Sequence, residues 1–260
     1  MNVDVVILAG AINTGELREY TDVEQEALME IAGLPMLEYV LQAVNNASNT
    51  GRVVVVGNEN ELKPAINSKV DTFIESAESM TENVIRGLNF LHDSEFILLM
   101  TSDIPLITSE IIEDYISACL QNKNADADLY YPIIPKENNE MMFPDTERTY
   151  FNLEEGIYTG GNMVIIRPEV IDNSIPLLKE VLESRKKPWK LIKLLGLTFI
   201  FRFAFGHLSI NDIEKNVKKI TNCNGCFMIS PYPEIGFDVD KVSDLETVRQ
   251  RLASCNNTLS

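Results

Sequence analysis

The chain has 260 residues, of which 22 are Lys or Arg and 39 are Asp or Glu, giving a formal net charge of −17. That length is enough for a sizeable core in one α/β domain, and a composition of 45% apolar and 23% charged residues is that of an ordinary globular protein. The acidic excess repels phosphate backbones and anionic lipid, which argues against nucleic acid as a main partner; an anionic small molecule would have to be met locally by a few basic side chains, backbone amides or a metal ion.

The N-terminus has Asp4 inside a strand pattern and no basic segment ahead of an apolar core, so no signal peptide is expected. Four cysteines in 260 residues make no disulfide framework, and the expected setting is cytoplasmic. One domain spanning 1–260 is expected, with a helical addition over about 168–220.

Val3 to Gly10, VDVVILAG, is an apolar run that stops on glycine, the pattern of a buried parallel strand delivering backbone to a ligand-facing turn. A long polar loop follows. Leu37, Val40, Leu41 and Val44 then mark one face of a helix starting near Pro35, and RVVVVG at 52–57 is a second buried strand. Strand, helix, strand is the signature of a parallel sheet. Val70 to Ile74 reads as a third strand, and Ser79 with Glu82 predicts a capping box opening a helix through Val84, Leu88 and Leu91.

Glu95 to Thr101, EFILLMT, is the most hydrophobic strand and belongs at the sheet centre; it runs into Ser102, Asp103, Ile104 and Pro105, ahead of a helix with apolar residues at 111, 112, 115, 116 and 119. Asp128 to Ile134 and Ile157 to Ile166 look like strands, the latter interrupted at Gly160 and Gly161. From Pro168 to about Lys219 the pattern is mostly helical. FMISPYPEIGFDVD then returns to extended structure before a last helix capped by Ser243 with Glu246. The stretch Lys190 to Phe205 is too short and too interrupted by charge to span a bilayer, which takes roughly 20 apolar residues.

Asp103 is the first chemical candidate, because ligand sites in open parallel sheets gather at the carboxyl ends of strands and a carboxylate there can hold a hard cation. The plainer reading is an aspartate capping the next helix. Asp238 and Asp240 form a second acidic pair, which alternation puts on one side of an extended segment. Two acidic clusters distant in sequence can converge on one divalent metal; the plainer reading is solvated surface. Cys223 and Cys226 form a lone C-x-x-C without the further ligands a zinc site takes. RKKPWKLIK, residues 185–193, puts five basic residues beside Trp189, suited to an anionic acceptor or, over 185–205, to weak membrane-surface contact, or simply to a solvated helix end. His207 reads as a polar cap, and Tyr130, Tyr131, Phe143 and Tyr150 as core or as stacking residues.

VILAG, EALMEIAGLPMLEYVLQAV, TSDIPLIT, TGGNMVIIRPEVI and GFDVDKVSDLE occur in the order seen in MobA-like nucleotidyltransferases, which the chain resembles over nearly its whole length. The resemblance implies a three-layer α/β/α GT-A type fold with a mainly parallel sheet. It also implies transfer of a nucleoside monophosphate from an NTP to a phosphorylated or hydroxylated small-molecule acceptor, with Mg2+ as cofactor and pyrophosphate as product. By that resemblance Asp103, Asp238 and Asp240 supply metal ligands. Leu8, Ala9, Gly10, Ala11 and the loop to Arg18 cradle phosphates, Ser79 and Asn83 lie near the base, and Thr159, Gly160, Gly161 and Asn162 border the acceptor. Arg18 and Asp103 are the catalytic candidates. The family's glycine-x-glycine-x-arginine run is replaced by Gly10 to Arg18, and Glu26 stands where a lysine is expected. Two alternatives are therefore kept: a GT-A glycosyltransferase using a nucleotide-sugar, and a catalytically degenerate nucleotide-binding protein.

Overall fold

A computed structural model describes residues 2–14, 16–122, 127–170 and 206–258, with Phe199 and Arg202. In chain order the first half comprises β1 (Val3–Leu8), α1 (Glu16–Tyr20), the small hairpin β2 (Glu30–Ile31) and β3 (Leu34–Pro35), α2 (Met36–Asn46), β4 (Thr50–Val56), α3 (Glu59–Leu62), β5 (Thr72–Ile74), α4 (Met80–Phe90), β6 (Ile97–Thr101) and α5 (Ser109–Leu120). The second half comprises β7 (Leu129–Pro135), α6 (Lys136–Met142), β8 (Phe151–Leu153), β9 (Gly156–Gly160), β10 (Met163–Ile166), α7 (Ile210–Thr221), β11 (Gly225–Ile229) and α8 (Val242–Thr258).

The main sheet runs β5-β4-β1-β6-β10-β7, with β11 beside β7 and the β8-β9 hairpin joined to the C-terminal half of β7. The strands from β5 to β6 are parallel; β10 is antiparallel to both β6 and β7, and β11 returns parallel to β7. β6 therefore lies inside the sheet, as its composition requires. Leu8 is level with both Val56 and Thr101, so three carboxyl ends finish flush and open onto one edge.

Residues of β1 alternate between two cores. Val3, Val5 and Ile7 pack with Leu37, Val40, Leu41 and Val44 of α2 and with Ile111, Ile112, Tyr115 and Ile116 of α5. Val6 faces the other way, with Val54, Val56, Ile97 and Leu88 of α4. Helices on both faces explain why the cores of β1 (Val5–Leu8), β4 (Val53–Val56) and β6 (Ile97–Met100) are continuous apolar runs rather than alternating. Each fully buried aliphatic side chain here contributes about 1.5–3 kcal/mol, which fixes the register that the site depends on.

Two local expectations change. Ser79 caps α4 through a 3.2 Å bond from the Glu82 amide, but the Glu82 side chain turns to Arg86 at 3.1 Å rather than closing the box. α8 begins one residue before Ser243, and the group that serves its N-terminus is Asp244, whose carboxylate accepts from the amides of Asp240 (3.2 Å) and Lys241 (3.1 Å). A carboxylate in the first turn also favours the positive helix end through its charge. Of the helical addition expected over 168–220, residues 171–198 lie outside the described residues, and α7 is the part seen. The basic run 185–193 falls outside them too.

Candidate active site

β6 ends at Thr101 and delivers Asp103 to the flush edge, where Ser102 N donates to Leu8 O at 3.1 Å. The helix after it is capped by Thr108, which accepts from Ile111 N at 3.4 Å, so Asp103 is not the cap. Its carboxylate accepts instead from Thr101 Oγ1 at 2.5 Å. Across from it, Val239 N donates to Asp103 O at 3.0 Å and draws the segment Phe237–Asp240 alongside the strand end. Phe237 and Val239 are buried in a core with Leu17, Met36 and Phe143, and this anchors the opposite side of the segment. The structure thus brings Asp103, Asp238 and Asp240 together: one carboxylate oxygen from each lies within 4.8 Å of the others.

Like charges at this separation oppose one another's ionisation. Burial, then the Asp238 and Asp240 charges, push the Asp103 carboxyl up to about 7 against the Thr101 hydrogen bond. Burial and Asp238 also raise Asp240, with Arg148 opposing. An all-oxygen, carboxylate-only donor set of this kind suits a hard divalent cation, whose charge would relieve the repulsion.

Arg148 is the functional residue that the sequence did not reveal. Its side chain is only 9% exposed; it pairs with the Asp238 carboxylate and donates to Asp238 O at 2.8 Å, lies 3.7 Å from the Asp244 carboxylate, and stacks 4.4 Å from the Phe237 ring centre. It fixes Asp238 from behind and, among the described residues, is the cation that pairs with the cluster. Nothing in the local pattern around Arg148 sets it apart from other arginines.

A cleft of about 630 Å3 opens beside Asp103, lined by Leu8, Gly10, Ala11, Ile12, Thr14, Glu26, Ser76, Ala77, Glu78, Met80, Asn83, Thr101 and Ser102. That volume suits a nucleotide-sized ligand. A side chain at Gly10 would bring its Cβ to 2.5 Å from Ser76 Cβ, so only glycine lets the two walls approach here. Asn83 is buried and its Oδ1 accepts from Ala77 N at 2.6 Å, shaping the far wall. Ala9 is fully buried beneath the cleft, with its amide donating to Val56 O at 2.9 Å. Ser79 and Arg18 do not line it: Ser79 caps α4, and Arg18 Nη1 donates to Asp22 O at 2.7 Å.

Glu26 does line the cleft, tied to the loop after β1 by a 3.1 Å bond from its amide to Ala11 O. Burial, and then the charge of Asp240, raise its pKa. No lysine or arginine among the described residues lines this cleft. Any anionic ligand in it must therefore bring, or find, positive charge of another kind.

Thr159, Gly160, Gly161 and Asn162 do not line the cleft; they run from the end of β9 to the start of β10. Asn162 N donates to Ile235 O at 2.8 Å while its carbonyl accepts from Thr101 N at 3.1 Å, so this peptide bridges the two segments that carry the aspartates. Tyr131 presents its hydroxyl at Gly160, where an added Cβ would sit 2.3 Å from it, and burial together with the Asp238 charge raises its pKa. Cys223 and Cys226 are buried, with the first donating to Thr221 O and the second resting against Met228; among the described residues the acidic triad is the group with metal-holding geometry. No helix of the described residues is long and apolar enough to cross a membrane.

A family profile described as the MobA-like NTP transferase domain matches residues 5–187. A 2-C-methyl-D-erythritol 4-phosphate cytidylyltransferase of Clostridium novyi is 31% identical over 121 residues, 44% of this chain and 50% of that protein. A bifunctional protein GlmU of Acetivibrio thermocellus is 28% identical over 46% of this chain and 26% of its own length. The matched region thus spans half or less of these curated relatives. A hypothetical transferase from Thermus thermophilus superposes with a TM-score of 0.81 at 33% identity, covering 94% of this chain and 100% of that one. A CMP:2-keto-3-deoxy-manno-octonic acid synthetase complexed with CTP shares the fold at a TM-score of 0.62 and 15% identity, over 98% and 99% of the two chains. The mixed, mostly parallel sheet with helices is the GT-A-like fold of these nucleotidyltransferases.

Proposed function

The chain belongs to the MobA-like NTP transferase family, and from that membership we propose that it transfers a nucleoside monophosphate from an NTP to a phosphorylated or hydroxylated small-molecule acceptor, releasing pyrophosphate. The observation that carries the reading is the meeting of Asp103 with Asp238 and Asp240 at the mouth of a nucleotide-sized cleft.

Attack on an α-phosphorus needs little covalent help from a protein; it needs in-line positioning and neutralised oxygen charge. Asp103 and Asp238 would hold a magnesium ion, with Asp240 beside them, and the bound ion supplies Lewis-acid neutralisation of the α-phosphate and the departing pyrophosphate. Gly10 and Ala11 offer close backbone approach to the phosphates. Asn83 and the Ser76–Glu78 segment border the base. Arg148 keeps the Asp238 carboxylate at its post, and the Thr159–Asn162 segment limits the acceptor side.

A panel of NTPs with magnesium tests this directly. At least one should raise the melting temperature, since saturation to about 100 times Kd stabilises by about 2.7 kcal/mol, and turnover should release pyrophosphate. Release of a nucleoside diphosphate from a nucleotide-sugar would instead assign a glycosyltransferase, and binding without turnover a nucleotide-binding protein.

Glu26 allows a sharper test. Replacing it with lysine puts an ammonium where a carboxylate faces the loop, and NTP affinity should rise about tenfold, roughly 1.4 kcal/mol. Calorimetric titration of Glu26→Lys checks it; unchanged or weaker binding would show that Glu26 does not face the phosphates.

A further inference from the structure

Behind the active-site loops lies a second, separate cavity of about 370 Å3, between α2, the loop after Asp103, the end of α6 and α8. The volume lies in the range of small-molecule sites. Tyr39, Leu106, Met142 and Leu252 line it, and each of them, though packed on the core beneath, is only partly buried. Apolar surface from separate segments of the chain is thus left uncovered on one concave wall, and an apolar body laid there would complete its burial.

Two charged residues are on the lining, Glu234 and Arg251. The Glu234 carboxylate bonds its own backbone amide, and its Oε2 is buried, so that oxygen offers no surface to a ligand. Arg251 is the exposed one. Its guanidinium is fixed on the wall by two other lining residues: it donates to Met142 O, and it lies 5.5 Å from the Phe143 ring centre. Its remaining N–H groups have no partner among the described residues, and it makes no ion pair with Glu234. Glu110, in the first turn of α5, is held by its own amide and by the Thr108 and Ser109 side chains and is not on the lining. A guanidinium with free N–H groups takes a carboxylate through paired, charge-assisted bonds that a neutral acceptor cannot match.

We propose that this cavity is a binding site for a compact apolar or aromatic molecule carrying one carboxylate, with the carboxylate on Arg251 and the apolar body against Leu106, Met142 and Leu252. The site is distinct from the nucleotide cleft, with which it shares no lining residue. Pro105, Leu106 and Ile107 nevertheless belong to the loop that leaves Asp103 and form one of its walls. An occupant would therefore brace the segment that carries one member of the acidic triad.

The test titrates phenylacetate into the full chain by protein-observed NMR in saturating magnesium, with 2-phenylethanol and 2-phenylethylamine as neutral and cationic counterparts of similar shape. Phenylacetate should bind at about millimolar Kd, as expected for a ligand of this size, and at least tenfold more tightly than the alcohol, with the amine not binding. Arg251→Gln should bring phenylacetate and alcohol to equal affinity, whereas Arg251→Lys, which keeps the charge, should retain a preference for the anion. Leu252→Trp, which fills the cavity and leaves Arg251 in place, should abolish binding of phenylacetate. Equal binding of phenylacetate and alcohol to the unmodified chain, an anion preference that survives Arg251→Gln or is lost in Arg251→Lys, binding that survives Leu252→Trp, or no phenylacetate binding at all would each overturn the proposal. Binding that survives both Arg251→Gln and Leu252→Trp would place the probe on the metal at the acidic triad instead. None of these outcomes bears on whether the nucleotide cleft binds an NTP.

Discussion

Asp103→Asn should abolish magnesium-dependent nucleotide binding, lower any turnover by about a thousandfold or more, and at the same time make the metal-free protein more stable. The functional loss follows from removing one of three converging carboxylates, since metal-supplied charge neutralisation is worth several kcal/mol in a transition state. The gain in stability follows from the same geometry. Burial and the Asp238 and Asp240 charges push the Asp103 carboxyl up to about 7 in the folded chain, from an ordinary aspartate value of about 3.9. Between these values the folded state holds a proton that the unfolded state has released. The metal-free protein therefore loses stability as pH rises from about 4 to 7, at up to about 1.4 kcal/mol per unit from this group, and the loss is complete above 7. Asn carries no charge, so the variant's melting temperature at pH 8 should exceed that of the unmodified chain by about 3 °C or more, with the difference vanishing near pH 4. Thermal melts across that range with and without magnesium decide it: a magnesium-induced shift of normal size in the variant would remove Asp103 from the metal site.

Arg148→Ala should act in the opposite direction. The guanidinium is nearly buried, bonded to Asp238, near Asp244 and stacked on Phe237, and its loss leaves half-buried carboxylates facing one another with no counter-charge. Breaking a buried pair from one side costs about 3–5 kcal/mol, which for a chain of this size lowers the melting temperature by roughly 6–15 °C. Magnesium should recover part of that loss, because the ion replaces the missing positive charge. Arg148→Lys should rescue stability only partly, since an ammonium cannot make the paired contacts of a guanidinium or stack as flatly on the ring. A melting temperature in Arg148→Ala within 2 °C of the unmodified chain would show that Asp238 does not depend on it.

Much of the scaffold was legible because it is written in local pattern. The apolar runs Val5–Leu8, Val53–Val56 and Ile97–Met100 in β1, β4 and β6, and the spacing of Leu37, Val40, Leu41 and Val44, encode burial on two faces and one face respectively, and the elements formed where those patterns lie. The interruption at Gly160 and Gly161 likewise separates β9 from β10, because a side chain at Gly161 would come within 2.7 Å of Ile235. Strand direction beyond β6 was not legible: periodicity does not say that β10 runs antiparallel between β6 and β7. The same limit applies to the site. Asp103 stands out through its place after a central strand, whereas Arg148 acquires its importance from a partner 90 positions away. Ser243 resembled a cap by spacing alone, but the helix begins at Val242 and so takes Ser243 into its first turn.

The backbone bond between Val239 and Asp103 has a consequence for biosynthesis. A nascent chain emerges from its N-terminus, so β1, β4 and β6 can pair while the segment that completes the acidic triad is still inside the ribosome. The walls of the cleft, all drawn from residues up to Asp103, can thus form before the acidic triad, which closes only when Asp238 and Asp240 have emerged.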